Sequence, residues 1–219
     1  MERTALSAKG AKLMAGAMNK GPGARAERAM AAILYIELRN FTRLSEMLDP
    51  ERVLRLAADF FSLASGAVEA HGGQVFSLQN DTLVAAFRGG GATQCAAEAL
   101  DAAQAALQDF EPIAERWKTD YGLPATLAAG VHLGDTIFGM TGPQSAEQYV
   151  AFGDTVSIAE RLVHRARAGE IVLSTQIAQS VGASTAAELG AKPLPPLDLG
   201  RRPALPIFGI LLEERLDFT

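Results

Sequence analysis

Between Ala31 and Trp117 the chain reads strand, periodic helix, tight hairpin and second helix, an order that few folds accept. Ala31–Glu37 is a short apolar run with Ile, Leu and Tyr, the pattern of a buried strand. Pro50 opens a helix with Asp49 placed to cap it. Val53, Leu54, Ala57, Phe60, Phe61, Ala64, Ala67 and Val68 then recur at the 3.6-residue period of one apolar face. Gly72-Gly73 ends that helix and starts a hairpin with strands Gln74–Leu78 and Thr82–Phe87 and with Gln79-Asn80-Asp81 at the bend. After the hinge-like Gly89-Gly90-Gly91 an Ala-rich helix is expected over Ala92–Trp117. The order β-α-β-β-α-β is the split βαβ arrangement of a ferredoxin-like core, so the fold class is α/β in the α+β sense. That architecture alone implies no activity.

Further along, Leu127–Leu133 and Thr136–Met140 read as paired strands around Gly134-Asp135, and Asp154 as the cap of a helix through about Arg167. Ile171-Val172-Leu173 is a strand, Ser174 caps a short helix, and Pro203–Leu212 supplies a closing strand. The expected organisation is a flexible basic leader over 1–29, one domain over 30–212 and a tail over 213–219. The leader is rich in Ala and Gly, carries six Lys/Arg against two Glu within residues 1–30, and is expected to turn helical near Arg25–Met30. It reads as a solubilising leader, with contact to acidic lipid or a partner as the alternative.

With 219 residues, 48% of them apolar, the chain can bury the core of one large domain. A net charge of −5 leaves no electrostatic footprint for nucleic acid. No apolar run reaches the ~18 residues of a membrane span and no secretory signal opens the sequence, so a cytoplasmic location is expected. The single Cys95 forbids an internal disulfide and reads as a small buried apolar side chain in a helix. The three histidines lack zinc-ligand spacing. His132, inside an apolar strand, reads as a satisfied core or interface histidine, and His71 and His164 as surface residues.

Two carboxylates stand where apolar strands end or bend, Glu37 in Ile36–Thr42 and Asp81 in Gln79-Asn80-Asp81. A third segment, Gly153–Leu162, puts Arg161 on an amphipathic helix. Two strand-borne carboxylates can share magnesium, and an arginine can meet the phosphates that such a metal holds. Read without further context, Glu37 and Asp81 are more readily solvated strand-end acids than metal ligands.

From about Ala31 to Leu212 the chain resembles the catalytic domain of class III adenylate/guanylate cyclases. The matching stretches are Glu37–Thr42 with Leu44-Ser45-Glu46, the Gly72-Gly73 hairpin with Asp81 and Phe87, Gly130–Asp135 with Gly139, and Gly153–Leu162. The resemblance implies a head-to-tail dimer that converts ATP or GTP to a 3′,5′-cyclic nucleotide and pyrophosphate, with Mg2+ or Mn2+ held by Glu37 and Asp81. It assigns Asn40, Phe41 and Thr42 to a phosphate-cradling turn, Ser77 and Val150 to the purine, and Ser157 and Arg161 to the transition state. Several positions depart from the family. Glu37 stands for Asp, Asn40 and Asn80 for Gly, Ser77 for Lys, Val150 for Asp or Thr, Ser157 for Asn, and Ala128 where an arginine is often seen. These departures predict weakened metal binding and an impaired or non-catalytic homodimer that acts as a dimerising, nucleotide-binding module. The alternative is an active cyclase, serving as the metal-binding half of a heterodimer. A diguanylate-cyclase-type domain is disfavoured, because its Gly-Gly-Asp/Glu-Glu-Phe hairpin is missing.

Overall fold

The computed structural model describes residues 26–212 except 144 and 146, so most of the expected leader and all of the tail lie outside the described residues. Strand β1 (Glu27–Arg39) is followed by the short helix α1 (Phe41–Met47) and the long helix α2 (Pro50–Ala70). Next come the hairpin β2 (Gln74–Gln79) and β3 (Thr82–Arg88), helix α3 (Gly91–Tyr121) and strand β4 (Thr126–Thr141). The remainder is β5 (Gln148–Phe152), α4 (Asp154–Arg165), β6 (Glu170–Ser174), α5 (Thr175–Val181), α6 (Ala183–Glu188), β7 (Lys192–Leu199) and β8 (Arg202–Leu211). One eight-stranded mixed sheet runs β2-β3-β1-β4-β6-β8-β7, with β5 paired to β4 off that path. Its first four strands, all antiparallel, carry the ferredoxin-like core expected from the element order.

β1 is the spine. Ala32, Leu34, Ile36 and Leu38 pack into the core under α2 and α3, while Ala31, Ile33 and Tyr35 pack into a second core under α4. Alternation has thus placed every second residue on each face, and both faces are covered. Asp49 caps α2 through a 3.0 Å bond from the Arg52 amide, with Pro50 in the first turn. The inward face of α2 is rotated from the expected one: Leu56 is buried and Leu54 is 71% exposed. Cys95 is buried in α3, as expected.

Two expectations are corrected. The segment near Arg25–Met30 is not helical where it is described: Glu27–Met30 extend β1 and pair with β4 from Glu27 opposite Phe138 onward. The long partner strand overrides the weak helical preference of an Ala-rich segment. Gly134-Asp135 is not a turn either, because β4 runs unbroken through it and the chain reverses only after Thr141. A side chain at Gly134 would come within 2.7 Å of the Thr155 hydroxyl, so the glycine clears the start of α4 and makes no bend.

Candidate active site

Glu37 lies opposite Thr82 in the β1–β3 register, which places Asp81 just beyond the last paired residue of the hairpin. The Leu38 amide donates to the Asp81 carbonyl at 2.8 Å and ties the turn to the end of β1. Asn80 turns the hairpin in the left-handed region at φ 54. Glu37, Asn40, Phe41, Thr42 and Asp81 line one open cleft of about 520 Å3. Asn40 adopts φ 66 at the start of α1, as the left-handed tolerance of asparagine allows, and its side-chain amide donates to the Pro124 carbonyl at 3.0 Å. The two carboxylates and the turn therefore meet in space.

Alternation brings Glu37 and Arg39 to the α4 side of the sheet. Arg39 pairs with Glu37 through one guanidinium nitrogen. Its other terminal nitrogen donates to the Val163 and Ala166 carbonyls at 2.5 and 2.8 Å, closing the C-terminal end of α4. Glu37 Oε2 is buried without a hydrogen-bond partner among the described residues, and His164 Nε2 lies 3.9 Å from it. Burial pushes the Glu37 carboxyl above the ordinary carboxylate range; Arg39 and His164 pull it down and Asp81 pushes it up. Burial prevails over a good ion pair because the carboxylate side chain is only 14% exposed.

These residues fit a small divalent cation. Two hard oxygen donors share a cleft, and one carries a buried oxygen with no partner among the described residues. Among the described residues no cluster of three or more acidic, histidine or cysteine groups is placed to hold a metal. Water and phosphate oxygens would have to complete an octahedron there, as is common for magnesium.

Asp81 also borders a second cleft, of about 380 Å3, on the α4 face of the sheet. Phe76, Val84, Val150 and Val156 give it apolar walls, and Ser77, Tyr35, Glu160 and His164 add polar groups. Ser77 and Val150 are thus brought together. Ser157 and Arg161 line neither cleft. They are exposed one turn apart on α4, as their spacing requires, and Arg161 donates to the Asp198 backbone carbonyl on β7. Within one chain they are not gathered with the carboxylates.

Residues 25–191 match the family described as adenylate and guanylate cyclase catalytic domain. This chain belongs to that family. The cyclase domain is 30% identical over 148 residues to the adenylate cyclase of Anabaena cylindrica, covering 67% of this chain and 29% of that protein. It is 31% identical over 142 residues to adenylate cyclase 1 of Rhizobium meliloti, covering 64% of this chain and 21% of that protein. The chain therefore spans less than a third of these relatives. In fold it is similar to the adenylyl cyclase CyaB of P. aeruginosa, with a TM-score of 0.78 and 21% identity over 87% of this chain and 98% of that one. It is similar also to the guanylyl cyclase Cya2, with a TM-score of 0.74 and 19% identity over 84% of this chain and 93% of that one.

The rest of the cyclase domain explains how α4 is held over this site. A side chain at Gly130 would strike the Val163 amide and come within 2.6 Å of the Ala159 carbonyl, so only glycine lets α4 lie on β4. Asp154 does not cap α4: Gly153 holds that position and Asp154 sits in the first turn. Two bonds to Arg202 hold the Asp154 carboxyl below its ordinary range. Ser174 precedes α5 but makes no capping bond, and its buried hydroxyl has no partner among the described residues. His132 is buried as expected but not satisfied, since its Nδ1 has no partner among the described residues; burial lowers its pKa to about 4, against a smaller upward pull from Asp154.

Four residues escaped the sequence reading: Tyr35, Arg39, Glu160 and His164. Tyr35 and Arg39 flank Glu37 at i±2 and so share its face, a signal present in the strand alternation. Glu160 and His164 are one helical turn apart, but only the crossing of α4 over β1 brings them to the cleft. No helix among the described residues is long and apolar enough to cross a membrane.

Proposed function

We propose that this cyclase domain binds a purine nucleoside triphosphate with a divalent cation, and that its homodimer turns the nucleotide over slowly or not at all. The observation that carries the reading is the convergence of Glu37 and Asp81 on one cleft, with Glu37 Oε2 unpartnered, beside the turn formed by Asn40, Phe41 and Thr42. A cation held by these carboxylates, Mg2+ or Mn2+, would neutralise triphosphate charge and sharpen the ribose 3′-hydroxyl as a nucleophile. The amides at the start of α1, where no side chain makes a capping bond, would take phosphate oxygens. The apolar walls around Ser77 and Val150 suit a planar base.

The impairment lies on α4. Ser157 offers one hydroxyl donor in place of a side-chain amide, and Arg161 is engaged with Asp198. A domain complete at its carboxylates and reduced at its charge-stabilising donors is also what one half of a heterodimer requires. The second reading is therefore an active ATP or GTP cyclase whose partner supplies the lysine, the asparagine and the purine contacts. The relatives named adenylate cyclase support the cyclic-nucleotide setting of both readings.

Titration calorimetry with non-hydrolysable ATP and GTP analogues in Mn2+ tests binding, and cyclic-nucleotide assay of the same protein tests turnover. The expected result is Mn2+-dependent binding that Asp81→Ala abolishes, with product barely above a Glu37→Ala, Asp81→Ala double variant. Brisk turnover by the homodimer would reject the impaired reading. Absence of binding would reject the nucleotide site itself.

A further inference from the structure

We propose that Glu160 and Tyr35 read the purine and select guanine over adenine, an inference that rests on the nucleotide-binding reading above. The cleft on the α4 face has lost polar readers at Ser77, which is short, and at Val150, which has no hydrogen-bonding side chain. Two polar groups stand in the same cleft instead. Tyr35 is only 9% exposed, and its hydroxyl makes no hydrogen bond with any described residue. Glu160 stands across from it on α4 without an ion pair or hydrogen bond among the described residues. A tyrosine hydroxyl is a donor throughout the physiological range.

Donor and acceptor chemistry decides which base fits. Guanine presents two adjacent donors, N1–H and the N2 amino group, which the two oxygens of one carboxylate accept together. Its neighbouring O6 is an acceptor for a hydroxyl such as that of Tyr35. Adenine offers one amino donor beside the bare N1 acceptor, and that lone pair facing a carboxylate is repelled. Phe76, Val84, Val150 and Val156 clasp either purine ring, so the walls supply affinity without discrimination. The choice falls to Glu160 for the N–H edge and to Tyr35 for O6. A site that pairs a ligand's polar groups rejects the analogue lacking them, because its own groups are then left unpaired.

The test is calorimetric binding of non-hydrolysable GTP, ITP and ATP analogues to the full chain in Mn2+. GTP should bind about tenfold or more tightly than ATP, with ITP between because it keeps N1–H and O6 but lacks the amino group. Glu160→Gln, an exposed helix substitution that should leave the fold intact, should weaken GTP about tenfold and ATP not at all. Tyr35→Phe should weaken GTP and ITP alike and spare ATP. Equal binding of all three nucleotides, or a GTP-to-ATP ratio unmoved by Glu160→Gln, would overturn this assignment and leave the nucleotide site standing. If no triphosphate binds, the assignment and the reading beneath it fall together.

Discussion

The end of β1 and the outer face of α4 are the two halves of the candidate site, and they are built by opposite means. At the end of β1 the backbone does the positioning. The Leu38–Asp81 bond fixes the hairpin turn, Asn40 and Asn80 take left-handed conformations, and Arg39 joins Glu37 to the last carbonyls of α4. On α4, Ser157 and Arg161 are exposed on a helix, and among the described residues their side chains make one bond, from Arg161 to a β7 carbonyl. A half held by its own chain keeps its geometry whatever docks against it. A half that projects into solvent acquires its geometry from whatever docks.

The largest expected effect tests whether α4 and its neighbours are all that is missing. Ser77→Lys, Val150→Asp and Ser157→Asn together should raise cyclase turnover a hundredfold or more in Mn2+, since one preorganised donor is worth about 3 kcal/mol at such a site. The effects will not add simply, because the residues act as a unit. An unchanged initial rate would show that the scaffold, and not these side chains, limits the chemistry.

Arg39→Ala probes the other half. The variant removes two bonds at the end of α4 and leaves Glu37 half-buried, with the exposed His164 3.9 Å away. A loss of about 3 kcal/mol in unfolding free energy is expected, measured by urea denaturation at neutral pH. Arg39→Lys should recover little of it, because a point charge cannot serve a carboxylate and two carbonyls at once. Wild-type stability in Arg39→Ala would mean that α4 is held without the Arg39 bonds.

Much of this arrangement was legible in the sequence, and the misses share a physical cause. An unbroken apolar run identified β1, a 3.6-residue repeat α2, turn residues the hairpin, and Ala content α3. Glycine misled at Gly134, where it clears Thr155 within a continuous strand and makes no turn. Proline hid β7, whose Pro193, Pro195 and Pro196 argue against a strand until the sheet order shows β7 at an edge, where prolines are tolerated. Glu37 and Asp81 stood out as strand-end carboxylates. His164 read as a surface histidine, and it is exposed; its nearness to Glu37 comes from α4 crossing β1, which no local pattern encodes.

His132 gives a smaller effect with a definite sign. Its folded pKa is near 4 against an ordinary 6.5, so the unfolded chain binds the proton first as pH falls. Stability is therefore intact above about 6.5 and declines through the window down to about 4, by roughly 2 kcal/mol. Thermal melts of the wild type at stepped pH should show this slope, and His132→Gln should flatten it. A slope shared equally by both proteins would place the titrating group elsewhere.

Arg161→Ala should do least to the fold, and there the contrast between the halves is sharpest. Like Arg39, Arg161 donates to a backbone carbonyl, but it is exposed and leaves behind no buried charge. Its removal should change unfolding free energy by about 0.5 kcal/mol or less. If cyclic-nucleotide formation by the restored triple variant falls sharply while the melt stays put, Arg161 acts on bound nucleotide across a dimer seam. If the melt drops as far as that of Arg39→Ala, its bond to Asp198 is structural, and the outer face of α4 is as firmly fixed as the end of β1.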